Sequence, residues 1–532
     1  MAATTSPPFA SPLMSCSKVR NPPAIVILLQ MCHNFHEVRQ VHAQLVVSGL
    51  LHRPLNGGRL VESYVRVSQT QYALSIFGAI PSPDIFAYNT IMRGLTLGKD
   101  PFSSLLMYNK LLKNGLIPDN YTYTFVLKAC SKMNALIEGK QVHCRMIKAG
   151  IPPDTHVYSS LINMYASSGS IACAERVLGE FKEEENTLAK NAMISGYLSQ
   201  GHVDKARAMF DKMVTKDVAS WSAMIVGYRD NAMHKEALCI VRKMVAFRVS
   251  PNESALVSAL SACGHLGALD QGRWIHAYVD KNRVELSITL GTALVDMYAK
   301  CGCIESCYEV FRKLPHRDVV TWGAVISGFA IHGKPEKCFQ LFGEMVSEGV
   351  QPNEVVFVAI LSACSHAGCV ELGFQYFHQM VHDFGIVPLI EHYGCMVNLL
   401  GRAGRLAEAK DFILAMPEKP NSIIWGSFLS ACRMHNDPER GKLAFKRLME
   451  LEPRSGDRYK LAGLMFGNAG EMENARMIRK FIDENDMEMT RGLSFIEVDG
   501  VLNEFVAGSI DHDRHREIYR LWEGVDKSLE NQ

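Results

Sequence analysis

The chain repeats itself, with a period that alternates between about 35 and about 31 residues. SLINMYASSGSIACA (160–174) returns as ALVDMYAKCGCIESC (293–307), and LSACGHLGALDQG (260–272) returns as LSACSHAGCVELG (361–373). Self-similarity at a fixed period in this range is the signature of a solenoid, in which short units stack and none buries its core alone. Aligning the recurring stretches places unit starts at Ile85, Asn120, Thr155, Thr187, Val218, Glu253, Ile288, Val319, Glu354, Ile390 and Ser422. Two weaker units precede them, near 22–53 and 54–84.

Each unit reads as two helices. In the one beginning at Val319, Val325, Ile326 and Phe329 mark one face of a first helix, Gly333 interrupts, and Pro335 suits the first turn of a second. That second helix carries Cys338, Leu341, Phe342 and Met345 at i, i+3, i+4, i+7, the spacing of one buried stripe. The same stripe returns as Ala206, Met209, Phe210, Met213; as Ala237, Ile240, Val241, Met244; and as Cys307, Val310, Phe311, Leu314. These positions, the methionines included, read as core.

A stacked array grows without a limit on core size, so 532 residues need no division into globular domains. The net charge of +1 favours no class of partner, but it conceals an asymmetry. Residues 456–532 carry a balance of −6 and the remainder +7, which fits polyanion binding in the body and a protein contact at the end. Fifteen cysteines raise the question of disulfides or zinc. Cys32, Cys130, Cys263, Cys364 and Cys432 share one repeat position, which is how a small packing residue behaves, and no C-x-x-C pair occurs. Cys301, Cys303 and Cys307 sit at a helix–helix turn and read as structural. No apolar run reaches the length of a membrane span. Residues 1–21 lack acidic side chains, are rich in Ala, Ser, Thr and Pro, and read as an organelle transit segment, chloroplast before mitochondrion, or as a disordered terminus.

These residues resemble the pentatricopeptide repeat family of land plants, in its class with alternating long and short motifs. SWSAMIVGY…SPN (220–252), SACGHLGALDQGRWIHAYV (261–279) and GTALVDMYAKCG (291–302) are similar to its P, L and S repeats, and IEHYGCMVNLLGRAGRLAEA (390–409) to its last S repeat. The resemblance spans roughly 22–532, with the array at 22–421. It implies an all-α, right-handed superhelical solenoid of helix-turn-helix repeats ending in a small β-hairpin plus helix. It also implies binding of single-stranded RNA at one base per repeat. In the family, the base is read by the fifth and last residues of a repeat and clamped by the second.

Carried over, Asn89 with Asp119 and Asn191 with Asp217 imply U. Ser222 with Asn252 implies A, as does Ser159 with Asn186, where the boundary holds an extra residue, and Thr292 with Asp318 implies G. Thr124 pairs with Asp154. Gly323 with Asn353 and Gly394 with Asn421 lack a polar fifth side chain, so their bases stay unassigned. Val257 with Ser287 and Val358 with Leu389 present apolar fifth positions and serve spacing. Phe86, Leu188 and Val320 are the candidate clamps. For any single Asn, Asp, Ser or Thr, the plain alternative is a helix cap.

From Ser422 the repeats drift. Residues 422–489 resemble the family's E motifs and 490–532 its E+ segment, with Arg491-Gly492 in place of Pro-Gly. Asp499-Gly500 between two apolar-polar runs signals a hairpin, and Ile518, Leu521, Trp522 and Val525 follow at helical spacing. A zinc deaminase needs H-x-E with P-C-x-x-C. His515-x-Glu517 and His234-x-Glu236 supply only the first half, so no catalytic residue, metal or cofactor is expected. The resemblance implies a recognition factor for organellar C-to-U editing that recruits a deaminase in trans through 422–532. A splicing, stability or translation factor, or a protein-binding scaffold, are the alternatives.

Overall fold

The computed structural model describes residues 22–51, 54–98, 100–180, 186–485, 487, 489, 492–498, 501–507, 517, 520 and 521. Residues 1–21, read as a transit segment, Asp499 and Gly500, read as a turn, and His515, Ile518, Trp522 and Val525 lie outside them.

Twenty-eight helices and two strands occur among the described residues. All eleven unit starts read from the sequence are the first residue of a helix, from Ile85–Leu97 to Ser422–Met434. Each is followed by a second helix, as Val319–Ile331 is by Pro335–Ser347, with Pro335 in the first turn and Gly333 at φ +64 in the bend between them. A left-handed backbone there favours glycine, which has no Cβ to clash. The chain forms two compact units. One reaches to Met233 and takes in Met244–Ser250; the other comprises His234–Lys243 and the residues from Pro251 onward.

Within each unit, first helices pack on the first helices of neighbouring repeats. Each second helix lies against its own first helix and the next one. The result is an all-α solenoid of two layers, one of first helices and one of second helices. The stripes read as core are core: Cys338, Leu341, Phe342 and Met345 are buried, as are Ala237, Ile240, Val241 and Met244, and only Met209 is half-buried. The five recurrent cysteines are buried as well. Burial pushes the Cys130, Cys364 and Cys432 thiols up to about 12, far from the thiolate that reactivity needs.

Two kinds of junction between repeats have their own locks. Where a short repeat meets the next, an aromatic ring late in the second helix meets edge-on a ring at the fourth position of the following repeat. The pairs are Phe77 with Tyr88 (4.9 Å), Phe210 with Trp221 (5.0 Å) and Phe311 with Trp322 (4.8 Å). Where a long repeat meets a short one, a histidine reaches the tyrosine 22 residues on: His42 to Tyr64 (3.0 Å), His143 to Tyr165 (2.9 Å) and His276 to Tyr298 (2.9 Å). At the last two of these junctions a glycine makes room for a methionine. A Cβ on Gly139 would stand 2.3 Å from Met164 Sδ, and one on Gly272 would stand 2.3 Å from Met297 Sδ.

Burial holds His42, His143 and His276 below the ordinary histidine value of 6.5, so each is neutral in the folded chain. A depressed folded value gives stability that is complete above about 6.5 and lost as pH falls toward the folded value. The thermal midpoint should therefore drop by several degrees between neutral pH and about pH 5. A variant carrying His143→Asn and His276→Asn should start lower and lose less over the same interval. Parallel curves for the two proteins would exclude these histidines as the cause.

Candidate nucleic-acid interface

The last residue of each repeat is the N-cap of the next first helix. Asp84, Asp119, Asp154, Asn186, Asp217, Asn252, Ser287, Asp318, Asn353 and Asn421 all have this role. Each accepts a hydrogen bond from the backbone N–H three residues on. Short polar side chains belong here because the first N–H groups of a helix have no partner inside it. Leu389 breaks the series, and His392 Nδ1 stands 2.9 Å from its backbone N–H.

Capping aims these side chains at the preceding repeat, where the fifth residue waits. Asn89 Nδ2 donates to Asp119 Oδ1 at 2.9 Å, and Asn191 Nδ2 donates to Asp217 Oδ1 at 3.1 Å. Thr292 meets Asp318 through Thr321, whose hydroxyl lies 2.6 Å from Thr292 Oγ1 and donates to Asp318 Oδ1 at 2.8 Å. The cap reading and the pairing reading thus describe the same atoms. Burial opposes the charge on Asp217, but bonds from the Ser220 N–H and hydroxyl and from the Asn191 amide outweigh it. They hold the carboxyl below its ordinary value, an ionised acceptor.

Two other expected pairs are not joined. Ser159 Oγ donates to the Leu188 carbonyl at 3.5 Å instead of reaching Asn186, and Thr124 is buried with no side-chain bond to Asp154. Ser222 Oγ also donates to the Val218 carbonyl at 2.7 Å, and Asn252 caps the helix Glu253–Leu266. Asn353 and Asn421 are caps facing glycines at the fifth position; nothing stands within 4 Å of a Cβ built on Gly394.

Three buried side-chain amide atoms have no hydrogen-bond partner among the described residues: Asn120 Oδ1, Asn186 Nδ2 and Asn191 Oδ1. The equivalent oxygen of Asn89 accepts from the Thr122 hydroxyl at 2.7 Å. In the Asn191 repeat the corresponding hydroxyl, that of Ser220, is turned to Asp217. A buried polar atom without a protein partner calls for an explanation, an ordered water or a ligand among them.

Second positions lie one helical turn from the fifth and share its face. Leu188 and Val320 are exposed there, and Phe86 is half-buried with the Arg59 guanidinium 4.5 Å from its ring centre. The same register carries Tyr121 in the first unit and Val355 and Ile423 in the second, with Tyr121 70% and Ile423 65% exposed. Reading the sequence missed these three, although each stands two residues after a cap.

His234 stacks on His265 at 4.6 Å, and among the described residues no group of three or more His, Cys, Asp or Glu could hold a metal ion. Cys301 donates to the Cys263 carbonyl at 3.5 Å and Cys303 to Ser306 Oγ at 3.3 Å. No described helix is long and apolar enough to cross a membrane.

Fold and surface together define a helical-hairpin repeat protein in which several repeats offer a polar pair at the fifth and last positions and several an exposed apolar side chain at the second. The family description "PPR repeat" matches residues 121–151, 156–185, 190–218, 219–249, 292–319, 355–383 and 391–420, and "PPR repeat family" matches 83–132 and 317–366. A chloroplastic pentatricopeptide repeat-containing protein of Arabidopsis thaliana is 32% identical over 100% of this chain and 85% of its own length. A mitochondrial one from the same plant is 30% identical over 93% and 88%. A third is 37% identical over 96% and 82%. A pentatricopeptide repeat protein from maize, of known crystal structure, is similar over 88% of this chain and 74% of its own at 12% identity, with a TM-score of 0.49. The chain belongs to the pentatricopeptide repeat family.

Proposed function

We propose that this chain binds single-stranded RNA at one base per repeat and directs C-to-U editing of an organellar transcript. The observation that carries the reading is the recurrent pairing of fifth and last residues, made directly by Asn89 with Asp119 and Asn191 with Asp217, and through Thr321 by Thr292 with Asp318. Base chemistry supports it. U and G both present an imino N–H, which an ionised Asp accepts, whereas A presents a ring nitrogen that an Asn amide can donate to. Asn191 Oδ1 is a further acceptor with no partner in the protein. Read in chain order, the repeats starting at Ile85, Thr155, Thr187, Val218 and Ile288 ask for U, A, U, A and G. The long repeat at Glu253 stands among them as a spacer, and the repeat at Asn120, with Thr124 and Asp154, takes a base left unassigned.

Exposed apolar residues at second positions, such as Tyr121 and Val320, offer the faces against which unstacked bases rest. The E motifs at 422–489 and the E+ segment at 490–532 then bring a deaminase supplied by another protein, since the chain carries no catalytic residues of its own in this reading. The target lies in the chloroplast or the mitochondrion, the compartments named for two of the relatives.

Transcript sequencing in a plant lacking the gene tests the whole reading. One or a few organellar cytidines, each just 3′ of a stretch matching these bases, should remain unconverted. Normal conversion at every site alongside retained introns or lost transcripts would replace editing with another step of RNA processing.

A further inference from the structure

The C-terminal strands Leu493–Val498 and Val501–Val506 form an antiparallel hairpin, with Phe495 opposite Glu504 and Val498 opposite Val501. A two-stranded hairpin standing alone is marginal in water. This one does not stand alone. Alternation along the first strand puts Phe495 and Glu497 on one face, the half-buried one, while Ser494, Ile496 and Val498 are exposed. Glu497 accepts the backbone N–H of Asp270 at 2.7 Å and that of Gln271 at 3.3 Å, across 227 and 226 residues of chain. These are the first orphan donors of the helix Leu269–Lys281, whose own N-cap, Ala268, has no side chain to satisfy them. The carboxylate also faces the positive end of that helix. Beside it, Lys235 pairs with Glu504 and lies 5.1 Å from the centre of the Phe495 ring. The negative charge of Glu497 adds to burial in pushing the Cys301 thiol up to about 12, as a carboxylate held close by would.

Both anchor points are N-termini of second helices, since Lys235 is the second residue of His234–Ala246. In the repeat starting at Glu253 the first helix leaves its cap at Asn252, and the turn at Gly267 and Ala268 reverses the chain before the second begins. The anchor at Asp270 therefore lies at the end of the hairpin opposite the recognition residue.

We propose that residues 493–506 are a clasp. The hairpin folds back over six intervening repeats of its own unit and fixes the C-terminal extension to the repeat edge opposite the recognition pairs. The extension is thus a fixed part of the array and its position is set by three side chains, Glu497, Glu504 and Lys235. This goes beyond RNA recognition and stands whether or not that reading holds.

Hydrogen exchange of the full chain, followed by mass spectrometry, tests it. The wild-type hairpin amides should be protected, because only docking stabilises so small a sheet. Lys235→Glu should speed exchange across 493–498 and 503–506 by about fivefold, and adding Glu504→Lys should restore protection. Glu497→Gln should speed exchange at Asp270 and Gln271 by a similar factor while leaving the capped turn at Asn252 unchanged. Hairpin amides exchanging at the rate of an unstructured peptide in the wild type would overturn the clasp. So would a charge reversal without effect, or a double reversal that fails to restore protection.

Discussion

Asn191→Thr is expected to move the base selected by the repeat at Thr187 from U to G while leaving the neighbouring bases unchanged. The substitution recreates, at one repeat, the Thr and Asp found at Thr292 and Asp318. Asp217 remains the cap of Val218–Asp230, with its bonds from the Ser220 N–H and hydroxyl, so the helix start survives the change. What is lost is the Asn191 amide: the donor to Asp217 and the unpartnered acceptor Oδ1. A base that satisfied that acceptor would now leave a buried group unpaired or unmatched, which costs about 1–3 kcal/mol. Discrimination should change by about tenfold or more at that one position. Selection from a randomised RNA pool, run with wild type and variant side by side, reads it directly. An unchanged base at the Thr187 repeat would reduce the pairs to helix caps and nothing more.

Gly328→Ala should cost the fold about 2 kcal/mol, whereas Gly343→Ala, in the same repeat, should leave stability equal or raise it by up to about 1 kcal/mol. Both glycines are helical, and alanine is the better helix former at either, so local preference predicts gain twice. The surroundings differ. A Cβ on Gly328 would stand 2.7 Å from Ala299 Cβ and 3.3 Å from Ile304 Cδ1, and an alanine neighbour has no rotamer through which to retreat. Nothing lies within 4 Å of a Cβ on Gly343. Relief at Gly328 therefore requires the two first helices to move apart, which loosens packing on either side. Gly196, whose added Cβ would meet Ala166 Cβ at 2.3 Å, repeats this contact in the other unit. Denaturant midpoints of the full chain check the order. A Gly328→Ala protein as stable as wild type would mean that the stack slides freely at this contact.

Much of the repeat register was legible before any coordinates. The repeat phase placed Asn89, Asn191 and Thr292 at one register and their caps at another, and both registers hold in three dimensions. Legibility failed where a side chain had a nearer partner than the expected one. Ser159 has the Leu188 carbonyl. Tyr121, Val355 and Ile423 went unnoticed because an apolar residue near a helix start reads as core until its exposure is known.

The sequence by itself determined where the first helix of each unit from Ile85 to Ser422 begins, in all but the one after Leu389 because a polar cap satisfies donors only three residues away and needs nothing beyond its own turn. It also determined which side chains recur and at what period. Only the tertiary structure decided what those side chains meet. His143 finding Tyr165, Met297 entering the space over Gly272, and Glu497 closing on Asp270 all join residues 22 to 227 apart in the chain. Such contacts depend on how one helical hairpin rests against another, and that is settled by volume and shape across the interface, which no local pattern encodes.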